Sequence, residues 1–259
     1  MNRPEKKLRK GIYLLPNLFT TGALFAGFYA IVAATTDLFD QAAIAIVVAL
    51  FLDFLDGRIA RLTHTTSKFG AQYDSLSDMV SFGVAPALVV YEWALIHFGD
   101  FPWIWSKLGW LAAFFYTAAA ALRLARFNAR VTVVSKRYFQ GLPSPAAAGA
   151  LVGFIWACHD MQLSPEDVAI AALVMTIVLG ALMVSNFTYH SFKDINLVDR
   201  IPYIVMLAVV LGFILVSIDP PKLVFIVFAL YALSGPVIYI VRLKRKRGAR
   251  TTVNIEDRP

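Results

Sequence analysis

Four aspartates fall within one short stretch of this sequence at paired spacings, Asp53 with Asp56 and Asp74 with Asp78. At about 100° per residue, the first pair lies ~60° apart around a helix and the second ~40°, so each pair shares a face. Both pairs sit in apolar surroundings on either side of a short polar turn. With about 1.5 Å of rise per residue, Asp56 and Asp74 lie roughly 7 Å from the mouth of such a hairpin, and Asp53 and Asp78 roughly 12–13 Å. The four carboxylates then come level in pairs as an acidic cage. A single Asp at mid-helix costs about 2.5–3.5 kcal/mol to insert into a membrane, and clustered anions also repel. Cations must compensate. Carboxylate oxygens are the ligands preferred by hard divalent ions such as Mg²⁺ or Mn²⁺. Four of them can hold two ions bridging a pyrophosphate, where developing charge on attacking and leaving oxygens is stabilised. Gly57, Ala60 and Gly70 beside the cage read either as packing and turn residues or as gaps that let a nucleotide approach the backbone.

The elements that carry these residues follow from composition. Of 259 residues, 59% are hydrophobic and 16% charged, with a mean hydropathy of +0.66, and the apolar residues form long runs. This is the composition of an all-α polytopic membrane protein. Spans are predicted at about 12–35, 41–62, 69–97, 105–128, 143–160, 167–188, 200–218 and 221–242, eight helices in one domain. The first run is too long for a signal-peptide core. Residues 1–11 and 243–259 are basic tails. The single cysteine, Cys158, excludes an internal disulfide, and the four histidines show no metal-ligand spacing.

Charge orients the bundle. With the N-terminus in the cytoplasm, 22 of the 24 Lys and Arg residues fall on the cytoplasmic side, leaving Lys107 and Lys222 outside. The positive-inside rule then puts both termini and the acidic cage on the cytoplasmic face. The net charge of +7 therefore points to a membrane surface with anionic lipid and not to nucleic acid.

Asp53-x₂-Asp56-Gly57-x₂-Ala60-Arg61-x₈-Gly70-x₃-Asp74-x₃-Asp78 resembles the signature of the CDP-alcohol phosphatidyltransferases at every specified position. The resemblance implies a six-helix core within 12–193, two additional helices over 200–242, and a homodimer. It implies that Asp53, Asp56, Asp74 and Asp78 bind metal and that Asp78 is the general base. It also implies a CDP site made by Asp56, Gly57, Ala60, Arg61 and Gly70, with Asn17 and Thr20 from the first helix.

Further segments are similar to the serine-using, membrane-spanning subgroup of that family. They are Ser75 to Pro86, Arg123 to Asn128, Phe139 to Ala147, and Leu182 to Ser185 with Tyr189 to Lys193. One departure is Ala23, where the subgroup pattern has Asn. The implied reaction moves a phosphatidyl group from CDP-diacylglycerol to the hydroxyl of L-serine and releases CMP. Serine's carboxylate needs a cation, for which Arg123, Arg126 and Lys193 are candidates, with Asn128 as a polar contact. The same chemistry with glycerol phosphate, inositol phosphate or an ether-lipid donor stays open. So does a cation transporter, although that requires acids spread across the bilayer, and these four share one half of it.

Overall fold

The computed structural model describes residues 14–62, 67–100, 106–130, 138–190 and 218–256, with backbone alone at several segment ends. Helix α1 (Leu14–Ala34) turns at once into α2 (Phe39–Leu62), and the two pack as an antiparallel hairpin. Next comes one nearly unbroken rod. It comprises α3 (Lys68–Asp78), a π-helical turn (Met79–Val84) and α4 (Ala85–Trp93), and it ends in a 3₁₀ turn (Leu95–Asp100). Helices α5 (Leu108–Arg130), α6 (Ser144–Asp160), α7 (Pro165–Val184) and α8 (Pro220–Glu256) complete the bundle. Helix α8 lies on α6, α7 on α5, and α6 also meets α2.

The side-chain distribution is that of a protein solvated by lipid. Small residues face inward: Ala30, Ala42, Ala43, Ala49, Ala147 and Ala148 are fully enclosed. Large apolar residues face outward, among them Phe25, Phe51, Phe114, Ile170 and Leu230. In hydrocarbon no hydrophobic force draws big side chains inward, so close backbone approach through small residues holds the helices together. Four helices among the described residues are long and apolar enough to cross a bilayer: Asn17–Ala34, Leu108–Ala129, Pro165–Val184 and Pro220–Val241. The chain is an all-α polytopic membrane protein. The expected span 200–218 and the tails 1–11 and 257–259 lie outside the described residues.

Three features differ from the sequence expectation. The third span is not a uniform helix to residue 97, because the π turn follows Asp78 directly and α-helix stops at Trp93. Pro86 has no N–H to give the carbonyl of Phe82 one turn back. The buried Tyr116 hydroxyl of α5 donates to that carbonyl instead, at 3.3 Å. The sixth span stops at Val184, short of the expected 188, and residues beyond it form strand β2 (Thr188–His190). This strand pairs antiparallel with β1 (Tyr138–Gln140), Phe139 opposite Tyr189. Gly141 ends β1 at φ +81°, and a Cβ there would lie 2.2 Å from the Met183 carbonyl oxygen. Only glycine fits both the angle and the space. Finally, α8 continues helically through the basic segment to Glu256, since Lys and Arg are good helix formers.

Candidate active site

The site lies where α2 ends and α3 begins. Ser67 caps α3, its Oγ accepting from the Gly70 N–H at 2.9 Å, which fixes where the helix starts and so the rotation of Asp74 and Asp78. Two hydroxyls one turn apart then tie this rod to α1. Ser77 Oγ donates to the Thr20 carbonyl at 3.1 Å, and Ser81 Oγ donates to the Ala23 carbonyl at 3.0 Å. With the serine face held against α1, the aspartate face is turned toward α2.

Oxygens of Asp53, Asp74 and Asp78 come within 4.8 Å of one another, one carboxylate from α2 and two from α3. Three hard oxygen donors at this separation fit a divalent cation of the Mg²⁺ or Mn²⁺ kind. The sequence spacing puts four carboxylates in one cage, whereas this close group contains three. Asp56 is buried, 5% exposed, and accepts a hydrogen bond from the Thr20 hydroxyl of α1. The signal for that contact was present only in the first-helix resemblance.

The other expected CDP-site residues gather along the same mouth. Asn17 Oδ1 lies 3.6 Å from where a Gly70 Cβ would sit. A Cβ on Gly57 would meet nothing within 4 Å. Ala60 and Arg61 belong to the last turn of α2, and their side chains lie outside the described residues. Thr21 and Tyr73, which the sequence did not single out, join α1 to α3 through their hydroxyls at 2.9 Å.

Of the expected acceptor-site residues, Arg123 lies within charge reach of the carboxylates. Its guanidinium is close enough to Asp78 and Asp53 for their charges to interact, and its Nη1 donates to Ser144 Oγ at 2.6 Å. Arg126 lies one turn on. It is held by Asn186 Oδ1 at 2.6 Å and Gln140 Oε1 at 3.3 Å, so the strand pair and the end of α7 fix its direction. Asn128 Nδ2 donates to Ser75 Oγ at 3.0 Å, bridging α5 to α3 beside Asp74. Lys193 lies outside the described residues. Ala23, the departure from the subgroup pattern, is buried and takes part through its carbonyl.

The opposite ends of the helices carry unrelated polar contacts. His159 meets Asp40 at 2.9 Å, and Lys222 meets Asp160 at 3.5 Å. Asp40 and Asp53 are about 20 Å apart along α2, so these pairs belong to the other side of the bundle.

Comparison with known proteins shows the family of the chain. A family model described as CDP-alcohol phosphatidyltransferase matches residues 13–188. A CDP-diacylglycerol–serine O-phosphatidyltransferase from Helicobacter pylori is 35% identical over 88% of this chain and 92% of its own. One from Methanocaldococcus jannaschii is 34% identical over 75% of this chain and 82% of its own. An archaetidylserine synthase from Methanothermobacter thermautotrophicus is 34% identical over 71% and 72% of the two chains.

Proposed function

The chain belongs to the CDP-alcohol phosphatidyltransferase family, and from that premise we propose that it transfers a phosphatidyl group from CDP-diacylglycerol to L-serine, releasing CMP. The observation that carries this reading is the convergence of Asp53, Asp74 and Asp78 with the Arg123 guanidinium beside them. It unites a divalent-metal ligand set with a cation able to receive a carboxylate. The relatives named above share serine in their names, one of them as an archaetidylserine synthase.

Asp53, Asp74 and Asp78, with Asp56 next to them, would hold one or two divalent ions, which supply charge stabilisation to the donor's pyrophosphate oxygens. The residues of the chain do the rest. Asp78 accepts the proton of the serine hydroxyl as its oxygen bonds to phosphorus and the bond to the CMP oxygen breaks. Arg123 and Arg126 hold the serine carboxylate, and Asn128 offers a polar contact at the same mouth. Asp56, Gly57, Gly70, Asn17 and Thr20 form the nucleotide side. Attack is direct, with inversion at phosphorus: among the described residues Ser77 donates to the Thr20 carbonyl and Ser75 is bonded to Asn128, so neither serine beside the carboxylates is poised as a nucleophile. The protein lies in the cytoplasmic membrane as a homodimer, with both termini and the site facing the cytoplasm and the basic tails against anionic lipid.

Purified protein is to be given CDP-diacylglycerol, labelled serine and Mn²⁺ or Mg²⁺, with CMP and phosphatidylserine both measured. Equal release of both is expected, and a chelator should abolish it until metal is restored. Product with glycerol phosphate or inositol phosphate and none with serine would overturn the acceptor assignment. A parallel arm with a CDP-activated ether lipid decides the donor, since one of the relatives is an archaetidylserine synthase.

The Thr20–Asp56 hydrogen bond gives a second test. Thr20→Val keeps the shape but leaves a buried carboxylate without its donor, a loss of about 1–3 kcal/mol. The KM for CDP-diacylglycerol should rise by about tenfold, with the KM for serine little changed. A larger change in serine KM would place Thr20 on the acceptor side instead.

A further inference from the structure

An open cavity of about 810 Å³ lies at the end of the bundle opposite the carboxylates. It is bounded by the turn between α1 and α2, the end of α4, and the turn between α6 and α7. The two turns are built alike. The Asp37 and Leu38 N–H groups close on the Ala34 and Ala33 carbonyls, and those of Gln162 and Leu163 close on the His159 and Cys158 carbonyls. Such a closure usually has glycine in its left-handed position. Here that position holds Asp37 at φ 60° and Gln162 at φ 54°, and both residues line the cavity.

The rest of the wall is aromatic and acidic. Phe39, Trp93 and Trp156 supply rings, Asp40 and Asp160 add to the Asp37 carboxylate, and no Lys or Arg is among the lining residues. Two of the acids are engaged, Asp40 by His159 at 2.9 Å and Asp160 by Lys222 at 3.5 Å. Asp37 is exposed and has no ion pair among the described residues. Trp93 is 1% exposed, and its indole N–H has no acceptor among the described residues. A buried donor is rarely left in that state. The cavity thus offers an unused hydrogen-bond donor together with unused negative charge beside aromatic faces. Aromatic faces attract an ammonium group. A ligand that answers both features carries an ammonium and, close to it, an oxygen acceptor.

Depth points to the source of that ligand. The apolar span Asn17–Ala34 stops three residues before Asp37, and the span Pro165–Val184 begins at a residue that lines the cavity. The cavity therefore sits where hydrocarbon gives way to water, the level of lipid headgroups and interfacial tryptophans. Leu163 on its wall is exposed and gives an acyl chain an apolar surface.

We propose that this cavity binds a phospholipid whose headgroup bears an ammonium: Asp37 and the aromatic faces take the ammonium, and the Trp93 N–H donates to a phosphate or ester oxygen. Asp40 and Asp53 are about 20 Å apart along α2, so the bound lipid is not the reacting one.

The test is calorimetric titration of the full chain in detergent with dihexanoyl phosphatidylethanolamine. Saturable binding is expected, with phosphatidylglycerol of the same chain length about tenfold weaker or worse. Asp37→Asn should weaken binding about tenfold, the scale of one hydrogen bond to a charged group. Asn tolerates the left-handed backbone, so the turn is kept. Trp93→Phe keeps a ring against Phe154 and loses the N–H, and it should weaken binding about fivefold. Asp167→Asn removes the same charge from the exposed first turn of α7, outside the cavity wall, and should bind like wild type. A titration separates Kd from the competent fraction, so partial unfolding cannot imitate a weaker site. Equal affinity for the two lipids, wild-type affinity in Asp37→Asn or in Trp93→Phe, or an equal loss in Asp167→Asn overturns the proposal. Ethanolamine phosphate, the headgroup without chains, should bind more weakly than the lipid. Equally tight binding of it overturns the lipid assignment in favour of a soluble amine.

Discussion

An Asp78→Asn enzyme is expected to lose phosphatidylserine formation by about 10²–10⁴-fold, the range that a positioned general base contributes. Asn matches Asp in volume, so the packing of α3 on α1 through Ser77 and Ser81 is left intact. The variant loses the ability to take the serine proton and one negative charge of the carboxylate group. These two losses can be separated. Asp74→Asn removes a charge from the same group without removing the proposed base. Its activity should recover in part at raised Mn²⁺, whereas Asp78→Asn should stay inactive at every metal concentration. Recovery of Asp78→Asn to the level of Asp74→Asn would reduce Asp78 to a metal ligand and leave the base to be found elsewhere. Binding of CDP-diacylglycerol, read by competition with CMP, should survive in both variants at high metal.

The aspartate pairs were legible because helix geometry acts over three and four residues, and charge in an apolar run is costly enough to stand out. Most ends of the described helices were legible to within a few residues for the same reason, since each run had to satisfy its backbone inside lipid, but the C-terminal end of α8 was not, because it runs on to Glu256 beyond the apolar run. The grouping of three carboxylates, with Asp56 turned to Thr20, depended on the relative rotation of three helices. That rotation is set by side chains with no periodic signature. Ser67, Ser77 and Ser81 are small polar residues whose partners are backbone groups, and nothing in the spacing of Ser77 and Ser81 names α1 as the recipient of their hydrogen bonds. The two three-residue strands were too short for an alternating pattern to be seen.

One pattern recurs and could have been sought. Pro86 and Pro236 each free a carbonyl four residues back, and each carbonyl is taken by a buried tyrosine hydroxyl from elsewhere in the bundle, Tyr116 and Tyr189 respectively. Inside lipid an unpaired carbonyl is not tolerated, so a proline in mid-span implies a donor on a neighbouring element. The sequence alone cannot say which tyrosine supplies it. In both cases the donor ties two elements together: Tyr116 of α5 secures the turn after Asp78, and Tyr189 of β2 secures α8.

The packing around that turn leads to the second large effect. Gly27 of α1 faces Ser81, and a Cβ added at Gly27 would lie 2.7 Å from the Ser81 Cα and 2.6 Å from its Oγ. Backbone cannot step aside as the end of a flexible side chain can, so Gly27→Ala must separate α1 from the π turn. The Ser81 bond to Ala23 would open with it, and Asp78, three residues before Ser81, would move relative to Asp53 on α2. Overpacking of this kind costs about 1–3 kcal/mol, and a displacement near 1 Å at a reacting group can cost about 10²-fold in rate. Gly27→Ala should therefore lower kcat by about 10²-fold and lower the thermal unfolding temperature in detergent. Gly99→Ala, where an added Cβ meets nothing within 4 Å, should change neither. Wild-type activity in Gly27→Ala would mean that α1 and the π turn can part without disturbing Asp78, and the role given to the serine contacts in aiming the carboxylates would fall.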